Sequence, residues 1–257
     1  MKLKKFFAAF VVSAVLTAGA VAENHPYGMD IVLGIVGVDA FSYDSPGAVN
    51  LWGTTLPAKI HNSWKAIEIV PLKINTYICP WLNNHLGIYG SIGFLPAVEF
   101  GFKSEALGIA ETSDGVGFNV GVEFMAGPAF GVDLGESSVR FQVGVPFHFM
   151  FGVGKRAVDL KWKNGRIVDY GFDTDVTYTA YGIGLTPQFR FAANKRCSFV
   201  LGMDFVFDFA LTREEEYTLG TIGNYPIRVK GNLTAGATDT FRFAWTPYLG
   251  LGINFGD

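Results

Sequence analysis

Charged residues are scarce in this chain, and those present have no basic bias. Lys, Arg, Asp and Glu make up 17% of the 257 residues, and the formal net charge is -3, whereas an average soluble protein has roughly 25% charged residues. A nucleic-acid-binding domain needs a clustered basic face, so the composition excludes that class. Cysteine is limited to Cys79 and Cys197, which excludes a disulfide-rich scaffold. The 32 glycines follow no G-X-Y period, which excludes a collagen-like chain.

Long apolar runs are absent after the first 22 residues. The chain starts with the basic segment MKLKK, continues with the apolar stretch Phe6–Thr17, and then presents the small-x-small pattern Ala20-Val21-Ala22. This order is typical of a secretory signal peptide. We therefore expect cleavage near Ala22, with residues 1–22 as the leader and residues 23–257 as one mature domain. No later segment has the ~20 apolar residues that a transmembrane helix requires.

The mature chain alternates between large apolar residues and small or polar ones. From Phe241 to Phe255 every odd position is apolar and every even position is small or polar. A period of two is typical of β-strands. The phase slips near Ile35-Val36 and near Pro71, which we interpret as β-bulges. The pattern predicts eight strands, at about 29–43, 66–78, 86–102, 116–134, 139–153, 177–191, 197–211 and 241–255.

The links between these strands alternate in length. Short links are predicted at 80–85, 135–138 and 193–196, and long ones at 44–65, 103–115, 154–175 and 212–239. Short turns on one rim and long loops on the other are typical of transmembrane β-barrels, in which the short turns face the periplasm. The sequence therefore predicts an all-β fold, an eight-stranded antiparallel transmembrane β-barrel with short periplasmic turns and long extracellular loops.

The size of the barrel decides which face points outward. The interior of an eight-stranded barrel is just wide enough to be filled by side chains, so the large apolar residues must face outward. A continuous apolar outer surface is tolerated in lipid and is rare on soluble proteins. A soluble lipocalin-like barrel is the alternative, but its outer face would need the Lys and Glu that these strands lack. We expect aromatic girdles at both rims, formed by Phe151, Phe207, Phe209, Phe241 and Phe243 and by Phe130, Phe189, Phe191, Phe199 and Phe255.

The last strand carries a family resemblance. Tyr248, Gly250, Ile253 and Phe255 resemble the C-terminal signal by which outer-membrane barrels are recognised for assembly, although Gly256 and Asp257 follow Phe255. With the leader and the eight strands, the mature chain resembles small bacterial outer-membrane β-barrels of the OmpA-barrel, OmpX and OmpW kind. The resemblance implies a location in the bacterial outer membrane, insertion by the barrel-assembly machinery, and membrane lipid as a partner.

Ionisable residues on the inward face are predicted to pair across the lumen, because an isolated buried charge is costly. If Leu134 pairs with Val139, Asp133 stands opposite Arg140. We expect a salt-bridged, largely closed lumen, and hence a structural or surface-exposed protein that supports adhesion or membrane stability. The predicted lumen residues are Lys73, Glu99, Glu123, Asp133, Arg140, His148, Arg190, Asp204, Asp208 and Arg242.

Two other functions stay open. The inward residues Leu95, Met125, Met150 and Val206 would line a path for small apolar solutes, as the resemblance to OmpW implies. A lipid A-modifying enzyme is the third hypothesis, because His148 lies diagonal to Glu123. A hydrolase site needs a third residue besides His148 and Glu123. The sequence indicates no such residue, so we expect no enzyme. We also expect no cofactor, since no metal-ligand spacing or phosphate-binding loop is present.

The remaining features concern the rims. Cys79 and Cys197 are separated by three strand spacings of ~4.8 Å, beyond the ~7 Å limit for a disulfide, so we expect free thiols. Segment 160–168 predicts a protruding hairpin about Asn164-Gly165. We expect Trp64 and Leu51-Trp52 to fold over the mouth or into the interface, and Glu214, Glu215 and Glu216 to solubilise the fourth loop. Such loops would meet a host surface ligand, and the barrel would be a monomer.

Overall fold

β-strands form almost all of the described structure. The structure is a computed structural model and describes residues 27–51, 54–106, 109–113, 116–135, 138–159, 171–222, 225–232 and 238–255. The predicted leader and the Asn164-Gly165 turn lie outside these ranges. No helix among the described residues is long and apolar enough to cross a membrane.

Eight antiparallel strands close into a ring. The elements are β1 (Tyr27–Gly34), β2 (Val36–Leu51), β3 (Thr54–Ile69), β4 (Leu72–Trp81), β5 (Leu86–Ala106), β6 (Ile109–Ser113), β7 (Gly117–Asp133), β8 (Val139–Gly144), β9 (Phe147–Asp159), β10 (Gly171–Ala192), β11 (Cys197–Ile222), β12 (Tyr225–Asn232) and β13 (Thr238–Phe255). Three of the eight barrel strands consist of two elements each, β1 with β2, β3 with β4, and β8 with β9, and the other five are β5, β7, β10, β11 and β13. The elements β6 and β12 pair with the extensions of β5 and β11.

The last strand closes the ring onto the first. β13 pairs with β1 from Tyr27 opposite Phe255 to Gly34 opposite Tyr248, and it continues along β2 to Asp44. Each other barrel strand pairs with its neighbours in sequence order. Closure removes the open sheet edge. The predicted eight-stranded antiparallel barrel is confirmed.

Two bulges explain the phase slips near the N-terminal end. Gly34 pairs with Tyr248 and Val38 pairs with Trp245. The first barrel strand covers this distance in four residues (38 minus 34) and β13 covers it in three (248 minus 245), so the first strand has one extra residue. The second strand has a corresponding extra residue beside Pro71, where Val70 has a φ of 48°. Beyond an extra residue, the alternate positions that face inward change from odd-numbered to even-numbered residues or the reverse. The bulges predicted at these positions are confirmed.

A third bulge was not predicted. Tyr181 pairs with Ala210, but Gly182 pairs with Asp208, so Phe209 is the extra residue of β11. Phe209 stays 61% exposed on the outer surface, while Leu211 and Arg213 beyond it turn into the lumen.

The strands are longer than the sequence pattern predicts. The segments expected as long loops, 44–65, 103–115, 154–175 and 212–239, are in large part paired strand. β2 and β3 pair as far as Leu51 opposite Thr54, and β9 and β10 as far as Asp159 opposite Gly171. Alternation of apolar residues ends where the outer face leaves lipid, whereas backbone pairing continues, so the hydrophobic pattern missed these extensions.

The outer wall is apolar. Ile74, Ile92, Phe124, Leu201 and Leu251 are each more than two-fifths exposed. Aromatic side chains pack against one another along this wall, with ring centroids 4.9 Å apart in the pair Phe207–Phe243 and 5.2 Å apart in the pair Phe141–Phe189. Such a surface is stable in a hydrocarbon solvent and unfavourable in water.

The bore contains bulky aromatic residues as well as small ones, which corrects the expectation that all large groups face lipid. Tyr77, Tyr89, Tyr178 and Tyr248 are buried inside. Glycines on the adjacent strand make room for some of them: Gly202 pairs with Tyr248, and Gly152 faces the ring of Tyr178. Alternating large and small residues therefore fills the narrow interior.

We predict that Gly202→Ala destabilises the barrel by about 1–3 kcal/mol through overpacking. A Cβ at Gly202 would lie 2.5 Å from the Tyr248 ring and would displace the hydroxyl that donates to Gln188 Oε1 at 3.2 Å. The measurement is urea unfolding in lipid vesicles, followed by tryptophan fluorescence.

Gly90→Ala is the matched control for that substitution. A Cβ at Gly90 meets no atom closer than the Met125 carbonyl oxygen at 3.9 Å, so its unfolding midpoint should stay at the wild-type value. Equal midpoints for both variants would contradict the packing described for the bore.

Candidate functional site

Arg242 is the centre of a charged network in the lumen. Its guanidinium donates to Asp208 Oδ2 at 2.8 Å and to Asp39 Oδ2 at 2.9 Å, and it lies 3.7 Å from Glu68 Oε1. All four residues are buried. A buried guanidinium is stable when carboxylates accept its hydrogen bonds, and here the two acceptors come from β2 and β11, while the carboxylate of Glu68 on β3 adds a charge at 3.7 Å.

His148 continues the network toward the opposite wall. Its Nδ1 lies 2.6 Å from Asp208 Oδ1 and its Nε2 lies 3.2 Å from Glu123 Oε2. Lys73 Nζ is 2.8 Å from both Glu123 Oε1 and Asp204 Oδ2. Two carboxylates can both accept from the ring when both nitrogens carry hydrogen, so this arrangement favours the imidazolium form.

Together these contacts make one chain across the bore, which we call the central network. It runs through Asp39, Arg242, Asp208, His148, Glu123, Lys73 and Asp204.

A second ion pair lies toward the long-loop rim. Arg213 donates to both carboxylate oxygens of Glu99 at 2.9 Å, and its guanidinium lies 4.3 Å from the ring centroid of Trp64. Trp64 in turn stacks on Phe41 with centroids 4.7 Å apart. Trp64 is 2% exposed inside the lumen. The expectation that Trp64 folds over the mouth or into the interface is therefore wrong. The bulge at Pro71 changes which alternate residues face inward, and it places Trp64 among them.

A third group lies toward the short-turn rim. Arg190 pairs with Asp30 at 2.9 Å, and Gln188 donates to Asp30 at 3.1 Å and to Gln142 at 3.0 Å. Arg140 pairs with Asp133 at 3.0 Å, as expected from the register of Leu134 and Val139, and also donates to the Asn84 carbonyl. Asp133 is 44% exposed at the rim, so it does not lie inside the lumen.

Apolar clusters lie on both sides of the central network. Along β7, Met125 belongs to the cluster with Tyr77 and Tyr89, and Glu123, nearer the long-loop rim, belongs to the network. Along β9, His148 is followed by Met150, which packs with Leu95 and Tyr178. The four apolar residues that would line a solute path therefore fall into two groups, Met125 with Val206 and Leu95 with Met150.

Sequence reasoning missed five buried charged residues. Asp30 lies on the noisy first strand, Asp39 and Glu68 lie beyond the two predicted bulges, and Arg156 lies in a segment assigned to a loop. Arg213 lies beyond the unpredicted bulge at Phe209. The sequence did hold a signal for Asp39 and Glu68. Once one extra residue is allowed at each phase slip, the alternation places both side chains on the inward face.

His148 cannot serve as a general base in this arrangement. Both of its ring nitrogens contact carboxylates, so neither offers a lone pair to a nucleophile. Among the described residues no group of three or more His, Cys, Asp or Glu side chains has the arrangement of a metal site.

The two cysteines and the C-terminal strand take defined places. Cys79 is buried and Cys197 is exposed, both as free thiols. Of the residues that resemble an assembly signal, Tyr248 and Gly250 face the lumen, while Ile253 and Phe255 are exposed on the outer face of β13. They thus lie on the strand that closes the ring.

We predict that Lys73→Met destabilises the barrel by about 3–5 kcal/mol, because it leaves Glu123 and Asp204 buried without their cation. Lys155→Met is the control, since Lys155 and Asp175 form a 3.7 Å pair with side chains 83% and 54% exposed. Removing that exposed pair should cost about 0–1 kcal/mol. Unfolding free energies in vesicles measure both, and similar losses would refute the buried pairing.

Comparisons with known proteins give likeness of fold. No family model matches the chain, and no curated protein does. Similar solved structures include the outer membrane protein OprG from Pseudomonas aeruginosa, at 13% identity, TM-score 0.46, and coverage of 92% of this chain and 100% of that one. The Yersinia pestis attachment invasion locus protein Ail, solved with the heparin analogue sucrose octasulfate, matches at 13% identity and TM-score 0.30, covering 88% and 98%. The outer membrane protease OmpT from Escherichia coli matches at 11% identity and TM-score 0.38, covering 89% and 96%.

The closed ring of eight antiparallel strands and the apolar outer wall are the features on which the assignment of fold rests. The predicted resemblance to small outer-membrane β-barrels is thereby confirmed at the level of the fold.

Proposed function

We propose that this chain is an outer-membrane β-barrel with a closed, salt-bridged lumen, whose functional surfaces are its outer wall and its extracellular hairpins. The apolar wall supports the membrane location, because it would be unfavourable in water. The alternation of short turns and long hairpins supports an orientation with the hairpins outside the cell. Membrane lipid and the barrel-assembly machinery are the partners that this location implies.

The single observation that carries the closed lumen is the central network. It joins side chains from β2, β4, β7, β9, β11 and β13 by contacts of 2.6 to 3.2 Å. Opening a path through it would separate buried charges from their partners, which costs several kcal/mol for each broken pair. Such a lumen fits structural support better than transport.

The hairpins support a surface role in adhesion or membrane stability. β2 and β3 remain paired for seven residues beyond Asp44, up to Leu51 (51 minus 44). At about 3.3 Å per residue this ribbon projects by ~20 Å. The paired ribbon thus extends beyond the headgroups, where a host surface ligand can meet it, and a monomeric barrel suffices for that role.

A narrow channel for small apolar solutes is the competing function. It would need the two groups of apolar lumen residues to be continuous, whereas charged residues of the central network lie between them on β7 and β11. Conductance distinguishes these functions.

We predict that the wild-type barrel inserted in a planar bilayer gives no discrete conductance steps. Arg242→Ala removes the hub of three carboxylates and should produce steps, because repulsion then widens the central network. Retention of heat-modifiable migration on a gel would show that the variant is folded. Reproducible steps from the wild type would overturn the closed lumen.

A further inference from the structure

Three polar residues meet on the outer face of the first hairpin. His61 Nδ1 lies 2.6 Å from Asp44 Oδ1, and His61 Nε2 lies 3.4 Å from Ser42 Oγ. Asp44 pairs directly with His61 across β2 and β3, and Ser42 is two residues below Asp44 on the same strand. The inward neighbours Phe41 and Trp64 are buried, so the three side chains lie outside the bore.

The order of the contacts is that of a nucleophile, a base and an orienting acid. When the carboxylate of Asp44 accepts the hydrogen of Nδ1, the lone pair is on Nε2, where the Ser42 hydroxyl can donate to it. Hydrogen bonds from Lys59 and His61 hold the pKa of the Asp44 carboxyl below its usual value. Lys59 Nζ is 2.6 Å from Asp44 Oδ2. Asp44 therefore stays ionised at neutral pH, and the support that it gives to His61 is lost as the pH falls through its lowered pKa.

The surroundings combine an apolar surface below with basic side chains beside the three residues. Ser42 pairs with Phe241, and Ala40 below it pairs with Phe243, both on the outer face of β13. On the next strands, Lys65 is opposite Ala40, and Lys103 is opposite Ser63. Lys65 and Lys103 are exposed. An acyl chain fits the phenylalanine surface, and the ammonium groups attract a phosphate at the level of the headgroups.

We propose that Ser42, His61 and Asp44 form a hydrolytic site for fatty acyl esters of phosphate-bearing membrane lipids. This function differs from the structural role of the lumen. It places the chemistry on the outer wall of the barrel, where the lipid substrate lies against the protein.

The reaction consumes water and an ester. Ser42 Oγ attacks the ester carbonyl carbon while His61 Nε2 takes the hydroxyl proton, and collapse of the tetrahedral intermediate breaks the bond to the lipid oxygen. That oxygen takes the proton from His61 and leaves as an alcohol. Water then attacks the acyl-Ser42 ester, passing a proton through His61 back to Ser42, and the fatty acid is released.

Asp44 is a positioning residue in this scheme. It orients the imidazole and stabilises the imidazolium that forms when Ser42 is deprotonated. Ser42 and His61 are the catalytic residues.

The test uses the full mature barrel refolded in vesicles of two compositions, one containing phosphatidylglycerol and the other lipopolysaccharide. Mass spectrometry measures released fatty acid, and a fluorophosphonate probe measures the reactivity of Ser42. We expect release from at least one composition and labelling of Ser42. The composition that releases fatty acid identifies the source of the ester.

The variants separate chemistry from folding. Ser42→Ala and His61→Gln should lower kcat by roughly 10³-fold or more, while Ser63→Ala, an outer-face serine of the neighbouring strand, should keep wild-type activity. Asp44→Asn should lower kcat with KM unchanged, because the imidazolium that forms on His61 during the reaction loses its anionic partner. Heat-modifiable migration and the absence of conductance steps should be unchanged in all four.

Absence of fatty acid release from both compositions, together with an unlabelled Ser42 in a folded barrel, would overturn the hydrolytic site. So would release that persists at the wild-type rate in Ser42→Ala. Either result would leave the proposal of a closed lumen intact, since that depends on conductance alone.

Discussion

Backbone hydrogen bonding in a solvent without water is the constraint on which the structure depends. Every N–H and C=O in hydrocarbon must find a partner within the protein, and β13 satisfies this demand by pairing with both β1 and β2. Closure with eight strands fixes a narrow bore. The alternation of side chains then has one acceptable assignment, with apolar groups toward lipid and polar groups inside.

The narrow bore explains the character of its contents. A charged side chain inside has little access to water, so it is stable when a partner of opposite charge is within hydrogen-bonding distance. Arg242, Arg213 and Arg190 each meet this condition with carboxylates from other strands. Apolar clusters and tyrosines fill the space between these groups. The interior is thus built as a solid core, and the proposed hydrolytic site lies outside it.

The period of two was enough to predict the strand number, the outward face and the inward position of most of the lumen charges. It was not enough where a bulge reverses parity, as Trp64 and Arg213 show. It also failed beyond the membrane, where the paired ends of strands such as β2 and β3 carry no apolar alternation. Ser42, Asp44 and His61 form no motif along the chain, since their contact depends on the register of two strands, and register cannot be read from composition.

Lipid exposure of the outer wall is the central claim, and spin labels on β11 test it most directly. In a background with Cys79→Ser and Cys197→Ser, single cysteines at Leu201, Phe205 and Phe207 should carry labels that collide with oxygen and are shielded from a water-soluble nickel reagent. Labels at the inward positions Val200 and Val206 should show low collision with both. Free access of the nickel reagent to the three outward positions in vesicles would contradict the account.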